Sequence, residues 1–217
     1  MDWIKQLKVR LQEPLPGLDA QAEMLSVTMH KNGRAAAPQK AADNAREAAV
    51  MLLLFVKNDE WHTALMQRPE TPYPHSRQIS FPGGGVESHD VSFEATALRE
   101  TQEEFGIHPS EVEVLGALTP LYIPVSNYLV YPYVGYMTET PSYTLQPSEV
   151  EEVIEIPLRE FLAADAIKTT TITTYNDVKL KGVPYFDVQN RVVWGATSMM
   201  LNEFMAIAKE IRPFHSK

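Results

Sequence analysis

Residues 81–107 constrain this chain more than any other stretch. They contain Phe81-Pro82-Gly83-Gly84-Gly85, then Asp90, then Arg99-Glu100-Thr101-Gln102-Glu103-Glu104-Phe105-Gly106-Ile107. Three consecutive glycines predict a turn whose backbone can come close to a metal or a phosphate. The segment from Val91 or Ser92 to Phe105 reads as a helix, with Gly106 as its C-terminal stop. At 100° per residue, Glu103 lies about 60° to one side of Glu100 and Glu104 about 40° to the other. Three carboxylates therefore share one face. Leu98, Thr101 and Phe105 share a different one and can pack on a sheet.

That carboxylate face is costly. Like charges at i,i+4 repel, and all three acids lie in the last two turns, where the helix dipole favours cations. Most charge runs are merely solvated surface. Here the adjacent glycine turn argues for a site. A divalent cation would relieve both penalties, and oxygen ligands alone point to Mg²⁺ or Mn²⁺ rather than zinc.

Composition narrows the alternatives. With 217 residues, 44% of them hydrophobic and 22% charged, the chain fits one domain with a sizeable core. No cysteine is present, so disulfides and thiolate metal sites are excluded. The net charge is −9, from 19 basic and 28 acidic residues. That opposes broad binding to a nucleic-acid backbone, but a bound cation can still recruit a small anionic substrate. The apolar run Val50 to Val56 is too short to span a bilayer. The expectation is a cytoplasmic protein without nucleic-acid or membrane partners.

Along the chain, Met1 to Gln12 places Trp3, Ile4, Leu7 and Leu11 on one helical face. Flanking Asp2 and Glu13, and the lack of serine, favour a packing helix over a transit peptide. Residues 13–46 read as a connecting arm with little fixed structure. Ala48 to Val56 reads as a buried strand, Lys57 to Glu60 as a polar turn, and Trp61 to Arg68 as the returning strand. The prolines at 69, 72 and 74 predict a loop. Strands are expected at about Val112 to Leu118, Leu129 to Met137 and Ile154 to Ile156. A short helix over Leu158 to Ala164 follows. Thr169 to Thr174 and Val178 to Lys181 form a hairpin around Asn176 and Asp177. An amphipathic helix from about Thr197 to Ile211 closes the chain. Such alternation predicts an α/β protein with a mixed central sheet covered on both faces.

The central stretch resembles the Nudix box. Gly84, Asp90, Arg99, Glu100, Glu103, Glu104, Gly106 and Ile107 occupy its positions. Asp90 stands in place of the usual glutamate, the spacer to Arg99 is eight residues rather than seven, and Thr101 replaces a common aliphatic. The longer spacer resembles the coenzyme A pyrophosphatase branch of the Nudix family. So do Glu149-Val150-Glu151-Glu152-Val153 with Ile156-Pro157-Leu158, Val193-Trp194-Gly195-Ala196-Thr197, and Arg68 before the loop. The matches span roughly residues 47–211, read as the core, with 1–46 as N-terminal helix and arm of one domain.

The resemblance implies an α/β/α sandwich and water attack on a diphosphate in a small nucleoside-diphosphate-linked substrate. Divalent metal would neutralise the anhydride and lower the pKa of the attacking water. It implies Glu100, Glu103 and Arg99 as catalytic residues, with Arg99 orienting a glutamate by a bidentate pair. It implies Glu100, Glu103 and Glu104 as metal ligands, the Gly83 carbonyl as another, and a further carboxylate from Glu149 or Glu152. Arg68, Arg77 and Phe81 are the expected substrate contacts. Where the branch carries a second arginine in the loop, this chain has Tyr73; where it carries a glycine, this chain has Arg77. ADP-ribose or a dinucleoside polyphosphate is the alternative substrate, and a non-catalytic binding module the alternative class. Family members are often homodimers, but nothing in the sequence marks a dimer face. His75, His89 and His108 lack metal-ligand spacing. Trp194 reads as a core anchor, and Tyr122, Tyr128, Tyr131 and Tyr133 as packing residues.

Overall fold

A computed structural model describes residues 3–25, 41–70, 77–163, 165–174 and 177–211. Strand β1 (Arg46–Lys57) organises the main sheet. Its apolar run is buried on both faces: Ala49, Met51, Leu53 and Phe55 enter one core, while Ala48, Leu52 and Leu54 enter the other. This is the period-two alternation of a central strand. Asn58 and Asp59 take left-handed φ values of 52° and 60°. Lys57 faces Glu60 across this two-residue turn into β2 (Glu60–Gln67), the geometry that suits a hairpin.

β1 and β2 then separate, and the glycine segment enters between them. β3 (Ile79–Ser80) pairs with the end of β2, and β4 (Gly83–Gly85) pairs antiparallel with β1 at Ala48–Val50. The expected glycine turn is thus an extended strand. It needs glycine because the approach is so close. A Cβ on Gly83, at φ 154°, would lie 2.4 Å from the Ala49 carbonyl oxygen.

Helix α3 (Phe93–Phe105) follows, capped as the sequence predicts. Ser92 Oγ accepts from the Ala95 amide, and Gly106 ends the helix at φ 74°. β5 (Glu113–Ala117), β6 (Leu121–Ile123) and β7 (Tyr128–Tyr136) return across the sheet. β7 runs parallel to β1, while the other described pairs of this sheet are antiparallel. β8 (Glu152–Pro157) covers the outer side of β2, and a short 3-10 helix follows at Leu158–Leu162.

A second, three-stranded sheet comprises β9 (Ile167–Thr173), β10 (Lys179–Val188) and β11 (Arg191–Trp194). Its second hairpin, turning on Gln189 and Asn190 at positive φ, carries no glycine signal and is missing from the sequence reading. Helix α4 (Gly195–Glu210) packs with α1 (Trp3–Arg10) on one face of the main sheet, and α3 covers the other. The result is the expected α/β/α sandwich.

Two expectations need correction. The N-terminal arm has fixed structure at its start: α2 (Leu18–Ala22) lies on α4, with Gln21 fully buried and Met24 1% exposed. Glu203 of α4, itself fully buried, accepts from the Gly17 amide at 3.1 Å, Gln21 Nε2 at 2.8 Å and Thr119 Oγ1 at 2.6 Å. Buried polar groups are stable when satisfied in this way. Trp194, read as a core anchor, is only partly buried at the N-cap of α4; its neighbour Val193 takes the core position at 0% exposure.

Candidate active site

Helix α3 faces the sheet through Ala97, Thr101 and Phe105, each 0% exposed. This orientation turns Glu100 and Glu104 toward β4. A Cβ on Gly84 would lie 2.5 Å from Glu100 Oε1, so a side chain there would have to push that carboxylate aside. Gly83 donates its amide to Glu104 Oε2 at 2.7 Å.

A third carboxylate comes from the loop before β8. The amides of Glu149 and Val150 both donate to the Gln146 carbonyl, at 3.0 and 2.9 Å, and the Gln146 amide donates to the Glu104 carbonyl at 3.2 Å. The loop is thereby fastened to the end of α3. Carboxylate oxygens of Glu100, Glu104 and Glu149 all lie within 4.8 Å of one another. Glu100 is 8% exposed and Glu104 0%. Burial pushes both carboxyls up, that of Glu104 to about 8, against the pull of the Gly83 amide and Arg68.

Glu104 Oε1 is buried and, among the described residues, has no hydrogen-bond donor. Arg68 Nη2 stands 3.7 Å from it, beyond hydrogen-bond reach. A buried carboxylate oxygen left in this state is expensive. Three acids around it form an all-oxygen set suited to a hard divalent cation. The residues therefore fit the Mg²⁺ or Mn²⁺ that the sequence suggests.

Arg99 links the site together. Its Nε and Nη2 meet Asp90 Oδ1 and Oδ2, each at 3.0 Å. Nη2 also donates to the Gly85 carbonyl at 2.9 Å, and Nη1 to Glu100 Oε1 at 2.9 Å and Glu103 Oε2 at 3.0 Å. The guanidinium holds the Asp90 carboxyl far below its usual range.

The remaining sequence candidates separate. Glu103 keeps a side chain 55% exposed, bound to Arg99 and outside the three-carboxylate group. Glu152 is taken by Arg191 Nη2, at 2.8 and 3.0 Å, and does not reach the group. Arg68 stands at the group. Arg77 is exposed, at φ 54°, and pairs with Glu70 at 3.2 Å. Phe81 is a correction: at 2% exposure its ring belongs to the core and is not available to a substrate. Gly83 presents its amide to Glu104, a role not anticipated from sequence. Tyr73 and His75 lie outside the described residues. His89 and His108 are at the surface, and His108 caps the short 3-10 helix Pro109–Glu111.

Sandwich, glycine strand and acidic helix together define a Nudix-type site, and the comparisons agree. The family model described as NUDIX domain matches residues 45–176. The chain is 35% identical over 170 residues to the Nudix hydrolase NudL of Photorhabdus laumondii, covering 76% of this chain and 87% of the relative. It is 34% identical over 176 residues to NudL of Klebsiella pneumoniae, covering 81% and 89%. The Nudix hydrolase RenU of M. smegmatis superposes with a TM-score of 0.54 at 13% identity, over 78% of this chain and 89% of that one. A MutT/nudix family protein from Enterococcus faecalis gives 0.51 at 18% identity, over 79% and 65%. The chain belongs to the NUDIX domain family, and is a hydrolase of diphosphate linkages in nucleoside diphosphate derivatives.

Proposed function

We propose that this protein is a Mg²⁺- or Mn²⁺-dependent pyrophosphohydrolase that cleaves coenzyme A or an acyl derivative to a 3′,5′-ADP product. The observation that carries the metal reading is the donor-less Glu104 Oε1 within the group Glu100, Glu104 and Glu149. These three residues would hold the cation. When bound, it neutralises the diphosphate oxygens and makes water a better nucleophile. Glu103 lies on the same helix face with an exposed carboxylate, and can join the ligand set by leaving Arg99. A carboxylate of the group, Glu100 first, accepts the proton of the attacking water. Arg99 sets the orientation of Glu100, and Arg68 supplies positive charge where the diphosphate arrives.

The substrate reading rests on the neck of the loop over residues 69–77. The Arg68 amide donates to the Gln78 carbonyl at 3.0 Å and the Arg77 amide to the Pro69 carbonyl at 3.4 Å. These bonds bring the backbones of the two arginines to one end of that segment, and Arg68 Nη2 lies 3.7 Å from Glu104 Oε1. A guanidinium can hold a 3′-phosphate bidentately, which the phenol of Tyr73 cannot. Among the described residues the Arg77 guanidinium pairs with exposed Glu70, and can exchange that partner for a phosphate. Arg77→Ala should then raise KM for coenzyme A more than for dephospho-coenzyme A. Equal changes for both, or faster turnover of ADP-ribose than of coenzyme A, would move the assignment to another nucleoside diphosphate derivative. No described helix is long and apolar enough to cross a membrane.

A further inference from the structure

The Asp90 side chain is enclosed much as those of Glu100 and Glu104 are, yet it takes no part in the metal group. Its side chain is 3% exposed. Four donors surround it. The Glu87 amide reaches Oδ2 at 2.9 Å, Thr96 Oγ1 reaches Oδ2 at 2.9 Å, and Arg99 Nε and Nη2 reach Oδ1 and Oδ2 at 3.0 Å. Three of these donors meet Oδ2 and one meets Oδ1, so the carboxylate is held at both oxygens and cannot rotate without breaking a bond.

Arg99 is equally committed. A guanidinium has five N–H groups. Here one goes from Nε to Asp90, two from Nη2 to Asp90 and the Gly85 carbonyl, and two from Nη1 to Glu100 and Glu103. Its plane is fixed by the two-point contact with Asp90, and the direction of Nη1 toward Glu100 follows from that plane. Whatever fixes Asp90 therefore fixes Glu100.

Thr96 is 0% exposed and lies on α3 one turn before both Arg99 and Glu100, on the same helix face. Its Oγ1 lies 2.9 Å from Asp90 and 3.3 Å from the Ser92 carbonyl. It is the one described side chain other than Arg99 that donates to Asp90. We infer that Thr96 is a positioning residue for the reaction, the first member of a relay from Thr96 through Asp90 and Arg99 to Glu100. The relay also accounts for the sequence at this point. Asp90 lies two residues before the N-cap Ser92 and folds back over the first turns of α3. Val91, which joins the two, projects into solvent at 93% exposure. The inference rests on Glu100 belonging to the metal group.

The decisive variant is Thr96→Val, which keeps shape and burial and removes only the hydroxyl. Asp90 Oδ2 then keeps only the Glu87 amide and Arg99 Nη2, the link from Asp90 to α3 through Thr96 is lost, and Arg99 gains freedom to tilt. Expected are a fall in kcat of roughly tenfold or more with KM for the diphosphate substrate within about twofold, and weaker Mn²⁺ binding measured calorimetrically without substrate. Thr96→Ser restores the hydroxyl and should recover most of both losses. A metal-free readout separates this inference from the proposed function. The Arg99 Nε–H, protected from solvent in the unsubstituted protein, should exchange with water faster in Thr96→Val by ¹⁵N NMR and regain protection in Thr96→Ser. Unchanged Arg99 exchange in Thr96→Val, or a Thr96→Ser variant as impaired as Thr96→Val, would overturn the relay whatever the substrate. A lower melting temperature with unaltered kcat and Mn²⁺ affinity would reduce Thr96 to a packing residue and also overturn it.

Discussion

Gly84 and Glu100 are packed so closely that a Cβ on the glycine would stand 2.5 Å from Glu100 Oε1 and 2.6 Å from Glu100 Cδ. The obstacle is the far end of a flexible side chain, not backbone. Gly84→Ala should therefore fold, with a stability loss of about 1 kcal/mol or less. The displaced Glu100 carboxylate should reduce kcat by roughly 10²-fold, because positioned groups near reacting atoms tolerate little misplacement. Thermal denaturation and turnover of one preparation check this. Wild-type turnover would show that Glu100 is not used where it stands.

The buried Glu104 carboxyl sets a pH dependence. Burial pushes it up to about 8, aided by the charges of Glu100 and Glu149. Above its ordinary value of 4.5, the unfolded chain has released this proton and the folded, metal-free protein still holds it. This contribution to stability is therefore fully present below about pH 4.5. It falls as pH rises toward 8 by at most about 1.4 kcal/mol per pH unit, and changes no further above that. A divalent cation needs the carboxylate form, so binding at pH 7 should release about one proton, and at pH 9.5 almost none. Calorimetry in buffers of different ionisation enthalpy measures that number. No release at pH 7 would mean that Glu104 is already ionised without metal.

Two acids that look alike in sequence should behave differently. Glu149 contributes to the three-carboxylate group, whereas Glu152 is bound by Arg191 on another part of the sheet. Glu149→Gln should lower kcat by roughly 30-fold or more, through loss of a charge at the metal. Glu152→Gln should leave kcat within about twofold and cost at most about 1 kcal/mol of stability, the usual scale for an exposed ion pair. Kinetics and urea denaturation of both variants provide the check. Equal kcat losses would contradict the assignment.

Much of this was legible in the sequence, for local reasons. The span of α3 follows from Ser92, Gly106 and a 3.6-residue pattern, and the β1–β2 hairpin from an apolar run and an Asn-Asp turn. The missing parts depend on distant partners. Gln21 is buried against partners far away in the chain, its Nε2 donating to Glu203 across 182 positions and to the Thr119 carbonyl across 98. Glu149 and Glu152 were indistinguishable because their fates depend on where β8 begins and on Arg191. Helical angles placed Glu103 with Glu100 and Glu104, but not its attachment to Arg99. Phe81 belongs to a motif beside the site, yet its own side chain, between β3 and β4, is buried in the core.

The central claim is that the group Glu100, Glu104 and Glu149 works by holding a divalent cation. The direct measurement is product release from coenzyme A and a panel of other nucleoside diphosphate derivatives, first after treatment with excess EDTA and then after adding back Mg²⁺ or Mn²⁺. Turnover should vanish in the chelator and return with either cation. Undiminished turnover in EDTA would contradict the claim.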